Sequence, residues 1–173
     1  MWKDGDVVMY GQYGACKIVK RNVCPFGTPA QGSYFELHPL FADTILYVPM
    51  GQAEQVMRSL TERAQMEALL KELPMLLPLE IENEKQRREI YRKMWNAQSP
   101  LAWLRLLKTI SIRRTEATNA HRRLSELDLQ YEAMTKKCLY GEIAVLFQIP
   151  FDRVESYIKP SMEIGAQEAQ GIF

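Results

Sequence analysis

The hydrophobic pattern changes period near residue 50, and this change most restricts the folds available to the chain. Before it, short apolar runs at residues 7–10, 15–19, 34–37 and 44–48 are separated by turns rich in Gly and Pro. After it, apolar residues recur at the i, i+3, i+4 and i+7 spacing of an amphipathic helix. The pattern predicts an α+β chain, in which a small antiparallel β-barrel precedes an all-α domain.

Four segments follow from the pattern. Residues 1–60 are predicted to be the β module, with a loop at 25–33, and residues 61–83 a bridging helix and linker. Residues 84–159 are predicted to be a helical domain, and residues 160–173, which have few large apolar side chains, a disordered tail. The predicted helix starts are Thr61, the pair Ser99-Pro100, and Ser125 with Asp128.

Several classes of protein are disfavoured by composition. No apolar run approaches the roughly 20 residues of a membrane helix, and the first residues lack the apolar core of a signal peptide. The sequence therefore predicts a cytoplasmic protein. The three cysteines, Cys16, Cys24 and Cys138, form no CxxC pair, so we expect buried free thiols and no metal or cofactor.

Charge is distributed unevenly along the chain. The formal net charge is +1, yet residues 84–137 carry thirteen basic and six acidic side chains, a local net charge of +7. A segment of this kind indicates a polyanionic partner more strongly than the total charge does.

One helix in this segment has a basic stripe. Lys85, Arg88 and Arg92 follow i, i+3 and i+7 spacing, opposite the apolar face of the predicted helix at 84–97. Such a stripe suits two or three phosphates and the release of their counterions. The alternative is an ordinary solvated helix face.

The strand at residues 45–48 is apolar on both faces. Because only one face of a barrel strand points inward, either Ile45 and Tyr47 or Leu46 and Val48 must face outward. A second protein that adds a strand or docks at this edge would cover them. Alternatively, the bridging helix covers them.

Catalytic signatures are missing from the sequence. His38 and His121 are far apart, and there is no GxSxG nucleophile elbow, GxGxxG motif or GxxxxGK[ST] loop. We therefore expect a protein that is not an enzyme.

Two groups of motifs resemble those of CarD/CdnL-type bacterial transcription regulators. The first group comprises Gly5 to Tyr10 with Gly14, then 34–37, then 46–49; the transcription-repair coupling factor contains the same module. The second group, Leu124-Ser125 with Asp128 and then 138–144, is similar to signatures of the CarD helical domain. The resemblance covers residues 1–159 in the family's order.

The resemblance implies a Tudor-like barrel that docks on the β subunit of bacterial RNA polymerase, and a helical domain that contacts promoter DNA near the melted region. The implied docking strand comprises Ile45, Leu46, Tyr47, Val48 and Pro49. We expect the phosphate contacts, with low sequence specificity, to come from Lys85, Arg87, Arg88 and Arg92.

Two positions depart from the family pattern. Glu84 stands where well-studied members have a Trp that wedges into the minor groove, and Tyr47 stands where many members have Arg. A carboxylate is repelled by the minor groove. The alternative function is therefore an adaptor that binds polymerase or another protein without contacting DNA.

Overall fold

The N-terminal part of the chain folds as an antiparallel sheet. The computed structural model describes residues 1–25, 27 and 32–170, with side chains up to residue 163, so the predicted loop at 25–33 lies partly outside the described residues. The strand order is β4-β3-β2-β1-β5, and each neighbouring pair is antiparallel. The strands are β1 (Val7–Tyr10), β2 (Gly14–Val23), β3 (Tyr34–Pro39), β4 (Leu46–Pro49) and β5 (Met57–Ser59).

The rest of the described chain is helical. The helices are α1 (Ala53–Val56), α2 (Arg63–Glu72), α3 (Glu84–Asn96), α4 (Pro100–Asn119), α5 (Glu126–Phe147) and α6 (Phe151–Gln170). The α+β prediction is thus confirmed, although the three-residue strand β5 was too short to show alternation. Among the described residues, none of the helices has the length and apolar character needed to cross a membrane.

Helix starts follow the predicted caps in two of three cases. Ser99 and Ser125 are the N-caps of α4 and α5, and the Ser125 Oγ accepts a bond from the Asp128 N–H at 3.2 Å. The α2 prediction is wrong by one residue, because Glu62 is the N-cap. Thr61 instead donates its N–H to the Glu142 carboxylate at 2.8 Å.

The β module and the helices share a core at β1. Val8 packs inside the β module with Ile18, Phe35 and Leu37. The next residue, Met9, points to the other face and packs with Trp103 and Leu139 of the helices. β1 is therefore buried on both faces, and the two modules are joined through the sheet rather than only through the intervening chain.

Gly14 allows this close approach. It has a φ of +73°, and a Cβ there would lie 3.4 Å from the Cα of Cys138 on α5. A side chain at this position would be strained by the backbone conformation as well as crowded by α5.

The segment predicted as a bridging helix and linker belongs to the helical core. Met66 of α2 and Leu73 are fully buried there. The Nζ of Lys108, also buried, donates to the carbonyls of Leu73 and Pro74 at 2.7 Å each. This ammonium group satisfies carbonyls at the end of α2, where a positive charge suits the helix dipole.

The disordered tail predicted from residue 160 is corrected by the structure. α6 passes through Pro160 and continues to Gln170, while residues 171–173 lie outside the described residues. Val154, Ile158 and Met162 are buried at four-residue spacing, so one apolar face carries the helix into the core beyond the proline.

Candidate interaction surfaces

The predicted docking strand presents one apolar face outward. Ile45 is 53% exposed and Tyr47 is 40% exposed, whereas Val48 is 1% exposed. Leu46 and Pro49 are half-buried. Of the two pairs that the sequence left open, Ile45 and Tyr47 are the side chains that face outward.

β4 is an edge strand of the sheet. Its outer backbone groups are available to another strand, because β3 occupies only one side of it. The bridging helix does not cover this strand. Ile45 and Tyr47 stay exposed, and α2 packs Met66 into the helical core instead. Within the described residues, β4 thus combines an open edge with exposed apolar side chains.

The basic stripe of α3 lies along a groove. Lys85, Arg88 and Arg92 are exposed, and they border a groove of about 400 Å³ whose floor includes Leu127 and Tyr131 of α5. No ion pair forms at these three cations among the residues that the structure describes. They are therefore available to an anionic partner.

The residues of the groove floor were not among those predicted from the sequence. Leu127 and Tyr131 are spaced i, i+4 at the start of α5, which is a signal for a shared face. The Tyr131 ring lies 5.4 Å from the buried Tyr91 ring, edge to face, so α3 and α5 are held together beneath the cations.

Arg87 does not belong to the basic surface, and its prediction as a phosphate contact is wrong. It is 3% exposed, and its Nη1 donates to the Asp128 Oδ2 at 3.2 Å. Arg87 lies four residues before Tyr91 and therefore on the same inward face of α3. Its positive charge is paired with the buried Asp128 carboxylate.

Asp128 is the centre of a buried polar cluster. Its carboxylate, 1% exposed, accepts hydrogen bonds from the Tyr91 hydroxyl at 2.7 Å and the Ser125 hydroxyl at 2.7 Å. Arg113 also donates to it, at 3.3 Å. Its two guanidinium partners stand on α3 and α4, so this cluster fixes α3, the helix with the basic stripe, against α4 and α5.

The pKa of Asp128 reports the balance in this cluster. Burial alone would raise the pKa of its carboxyl. The hydrogen bonds from Tyr91 and Ser125, with the charges of Arg113 and Arg87, outweigh that effect and hold the pKa below its usual value. Asp128 is therefore ionised at neutral pH, and it serves as the internal counterion of Arg87 and Arg113.

The position of the family's wedge Trp is occupied differently here. Glu84, whose side chain is 73% exposed, forms an ion pair with Arg87 at the first turn of α3. The Glu84 carboxylate therefore places a negative charge at the N-terminal end of α3, next to Lys85, the first residue of the basic stripe. Wedging into a base step is not a chemistry that this residue offers.

The two histidines and the three cysteines occupy ordinary structural positions. The His38 Nε2 lies 3.0 Å from the Glu36 carboxylate, and His121 is an exposed residue with left-handed backbone after α4. Burial raises the pKa of Cys16 to about 12 and that of Cys138 to about 11, so both thiols stay protonated at neutral pH. Cys24 is exposed, which corrects the expectation that all three thiols are buried.

Comparison with known families identifies the sheet. The family described as the CarD-like/TRCF RID domain matches residues 2–61, which contain all five strands. No curated protein has a significantly similar sequence. Residues 2–61 therefore form a domain of the CarD-like/TRCF RID family, and the match ends before α2.

Proposed function

We propose that the protein regulates transcription by docking on the β subunit of bacterial RNA polymerase and contacting promoter DNA. The single observation that carries the docking half is the open edge of β4 with Ile45 and Tyr47 on its outer face. Backbone hydrogen bonds to a partner strand would supply affinity there, and the two side chains would supply specificity.

The DNA half depends on the groove between α3 and α5. Lys85, Arg88 and Arg92 would meet phosphates, and the apolar floor of Leu127 and Tyr131 suits the sugar carbons between them. Contacts of this kind position a protein on DNA without reading the bases. We therefore expect weak sequence preference.

The docking strand is tested by removing its exposed apolar groups. In the full chain, the double substitution Ile45→Ser with Tyr47→Ser should raise the Kd for core RNA polymerase at least tenfold, because truncating a hot-spot side chain at the centre of an interface costs about 2 kcal/mol or more. Biolayer interferometry with immobilised polymerase measures this change, and a purified β subunit tests whether that subunit is the partner.

The matched control is Val56→Ser. Val56 is 42% exposed and lies just before β5, at the opposite edge of the sheet. It should leave the Kd within twofold. Equal affinities for the β4 double variant and the wild-type protein would rule out docking through β4.

The phosphate stripe is tested by its salt dependence. Arg88→Gln with Arg92→Gln removes two cations, and each phosphate contact contributes about 0.9 to the slope of log Kobs against log salt concentration. We expect the slope to become less steep by about 1.8. Fluorescence anisotropy of the full chain with a labelled promoter fork, measured from low to moderate salt, gives this slope.

The control replaces two exposed cations of α6, Arg153→Gln with Lys159→Gln, and should leave the slope unchanged. A salt slope that is the same in the α3 variant and the wild-type protein would reject the stripe as the DNA surface.

A second candidate function is an adaptor that binds polymerase and leaves DNA alone. The Glu84–Arg87 ion pair at the wedge position favours it, since Glu84 adds negative charge and Arg87 is buried. Binding of the full chain to polymerase, together with no measurable binding to the promoter fork at low salt, would select this function.

A further inference from the structure

A second apolar surface lies next to the docking strand, on the helical domain. It is a groove of about 630 Å³ between the loop that joins β3 to β4 and the helices α5 and α6. We name it the hairpin groove. Its apolar lining residues are Phe41, Ala133, Tyr140 and Phe151, and its charged lining residues are Lys136, Lys137, Asp152 and Glu155.

Phe41 packs against α5 and α6 and is still accessible. Its ring centroid lies 4.9 Å from that of Phe151, and a Cβ on Gly141 would lie 3.3 Å from the Phe41 ring, so the ring rests directly on the α5 backbone. Even so, Phe41 is 42% exposed. A large aromatic side chain fixed in place and partly open to solvent is typical of an interaction surface.

The hairpin groove lies close to the β4 edge. Phe41 lies four residues before Ile45, which limits the separation of their Cα atoms to about 14 Å. Leu40, beside Phe41, is 40% exposed. Large exposed apolar side chains therefore lie at both ends of the loop, with Leu40 and Phe41 at the groove end and Ile45 at the β4 end, and the exposed Asp43 and Thr44 lie between them.

β4 alone is too short for a stable interface. Its four residues span only about 13 Å, whereas specific interfaces commonly involve 20–30 residues on each side. A partner that pairs with β4 must contact further surface. The next large exposed apolar residue before Ile45 is Phe41, which lines the hairpin groove.

We propose that the polymerase lobe that pairs with β4 also places an apolar side chain in the hairpin groove, so that the helical domain forms part of the docking surface. This rests on the proposed docking through β4. The two modules then act as one platform, because Met9 and Gly14 already join the sheet to α5 within a shared core.

The test fills the groove in the full chain. Ala133 is an exposed residue of α5, where Glu and Gln both suit a helix, so Ala133→Glu and Ala133→Gln should fold normally. Each should raise the Kd for core RNA polymerase at least tenfold, in the absence of DNA and with an unchanged urea midpoint. The neutral Gln variant separates the effect of size from that of charge.

The control is Thr118→Glu, which adds a negative charge at an exposed position of α4, outside both grooves, and should leave polymerase binding within twofold. If Ile45→Ser with Tyr47→Ser weakens binding while both Ala133 variants bind like the wild-type protein, the groove proposal is overturned and β4 docking stands. If the wild-type chain fails to bind polymerase, both proposals fall together.

Discussion

Asp128→Asn should destabilise the protein by about 3 kcal/mol, because it removes the buried negative charge that Arg87 and Arg113 share and leaves Arg87 only its pair with the exposed Glu84. Arg87 is 3% exposed and has little access to water that could replace the lost charge. The amide keeps the volume of the carboxylate, so a loss of this size would come from charge and hydrogen bonding rather than from a cavity. Urea unfolding at neutral pH, followed by circular dichroism, measures it.

The same substitution should change how stability depends on pH. The folded-state pKa of Asp128 lies below its value in the unfolded chain, so its contribution is complete above the unfolded value of about 3.9 and is lost as pH falls through the folded pKa. Acid unfolding of the wild-type protein should include this loss. In Asp128→Asn the free energy of unfolding should fall less steeply over that acid range.

Asp152→Asn provides the comparison, since Asp152 is an exposed carboxylate in the first turn of α6. Its effect should stay within about 1 kcal/mol. Similar losses in the two variants would mean that Asp128 is no more than a helix-capping residue.

The burial of Arg87 could not be predicted from the local sequence. Helix geometry places Arg87 four residues before Tyr91 and Arg88 three residues before it, so both lie near the Tyr91 face and spacing alone does not decide which of them is buried. What the local pattern could not supply is a counterion, because Asp128 is 41 residues away. A buried arginine is stable only with such a partner, so its burial depends on how the helices pack.

The β module shows the same limit in its strands. When a strand is apolar on both faces, its outward side chains are expected to be covered by another part of the chain or by a partner. Both β1 and β4 have this pattern. At β1 the cover is the helical domain, which buries Met9, whereas at β4 Ile45 and Tyr47 stay exposed. Strand positions and fold class follow from local periodicity, but which strand the helices cover depends on contacts between residues more than a hundred positions apart, such as Gly14 and Cys138.

The junction between the two modules also contains a buried charge. Glu142 of α5, fully buried, accepts two hydrogen bonds from Arg58 of β5, at 2.8 and 2.7 Å, and a third from the Thr61 N–H. The Arg58 guanidinium lies 5.5 Å from the centre of the Trp103 ring. One carboxylate thus connects the sheet edge, the start of the α2 segment and the helical core.

Glu142→Gln should therefore cost about 3–5 kcal/mol of stability, the range expected when one partner of a buried ion pair is removed. The control, Glu155→Gln, breaks the half-exposed pair with Lys136 and should cost less than about 1 kcal/mol. Urea unfolding monitored by Trp fluorescence measures both, since Trp103 is in contact with the junction.

A double substitution separates the ion pair from the packing around it. Arg58→Met with Glu142→Leu removes both charges and fills similar volume, so it should be more stable than Glu142→Gln alone, which leaves the Arg58 charge without its partner. If the losses measured for Arg58→Met alone and Glu142→Leu alone simply add in the double variant, the side chains contribute independently and the charges are not coupled. Recovery in the double variant would mean that the ion pair specifies how β5 meets α5, while the shared apolar core around Met9 supplies most of the stability that holds the modules together.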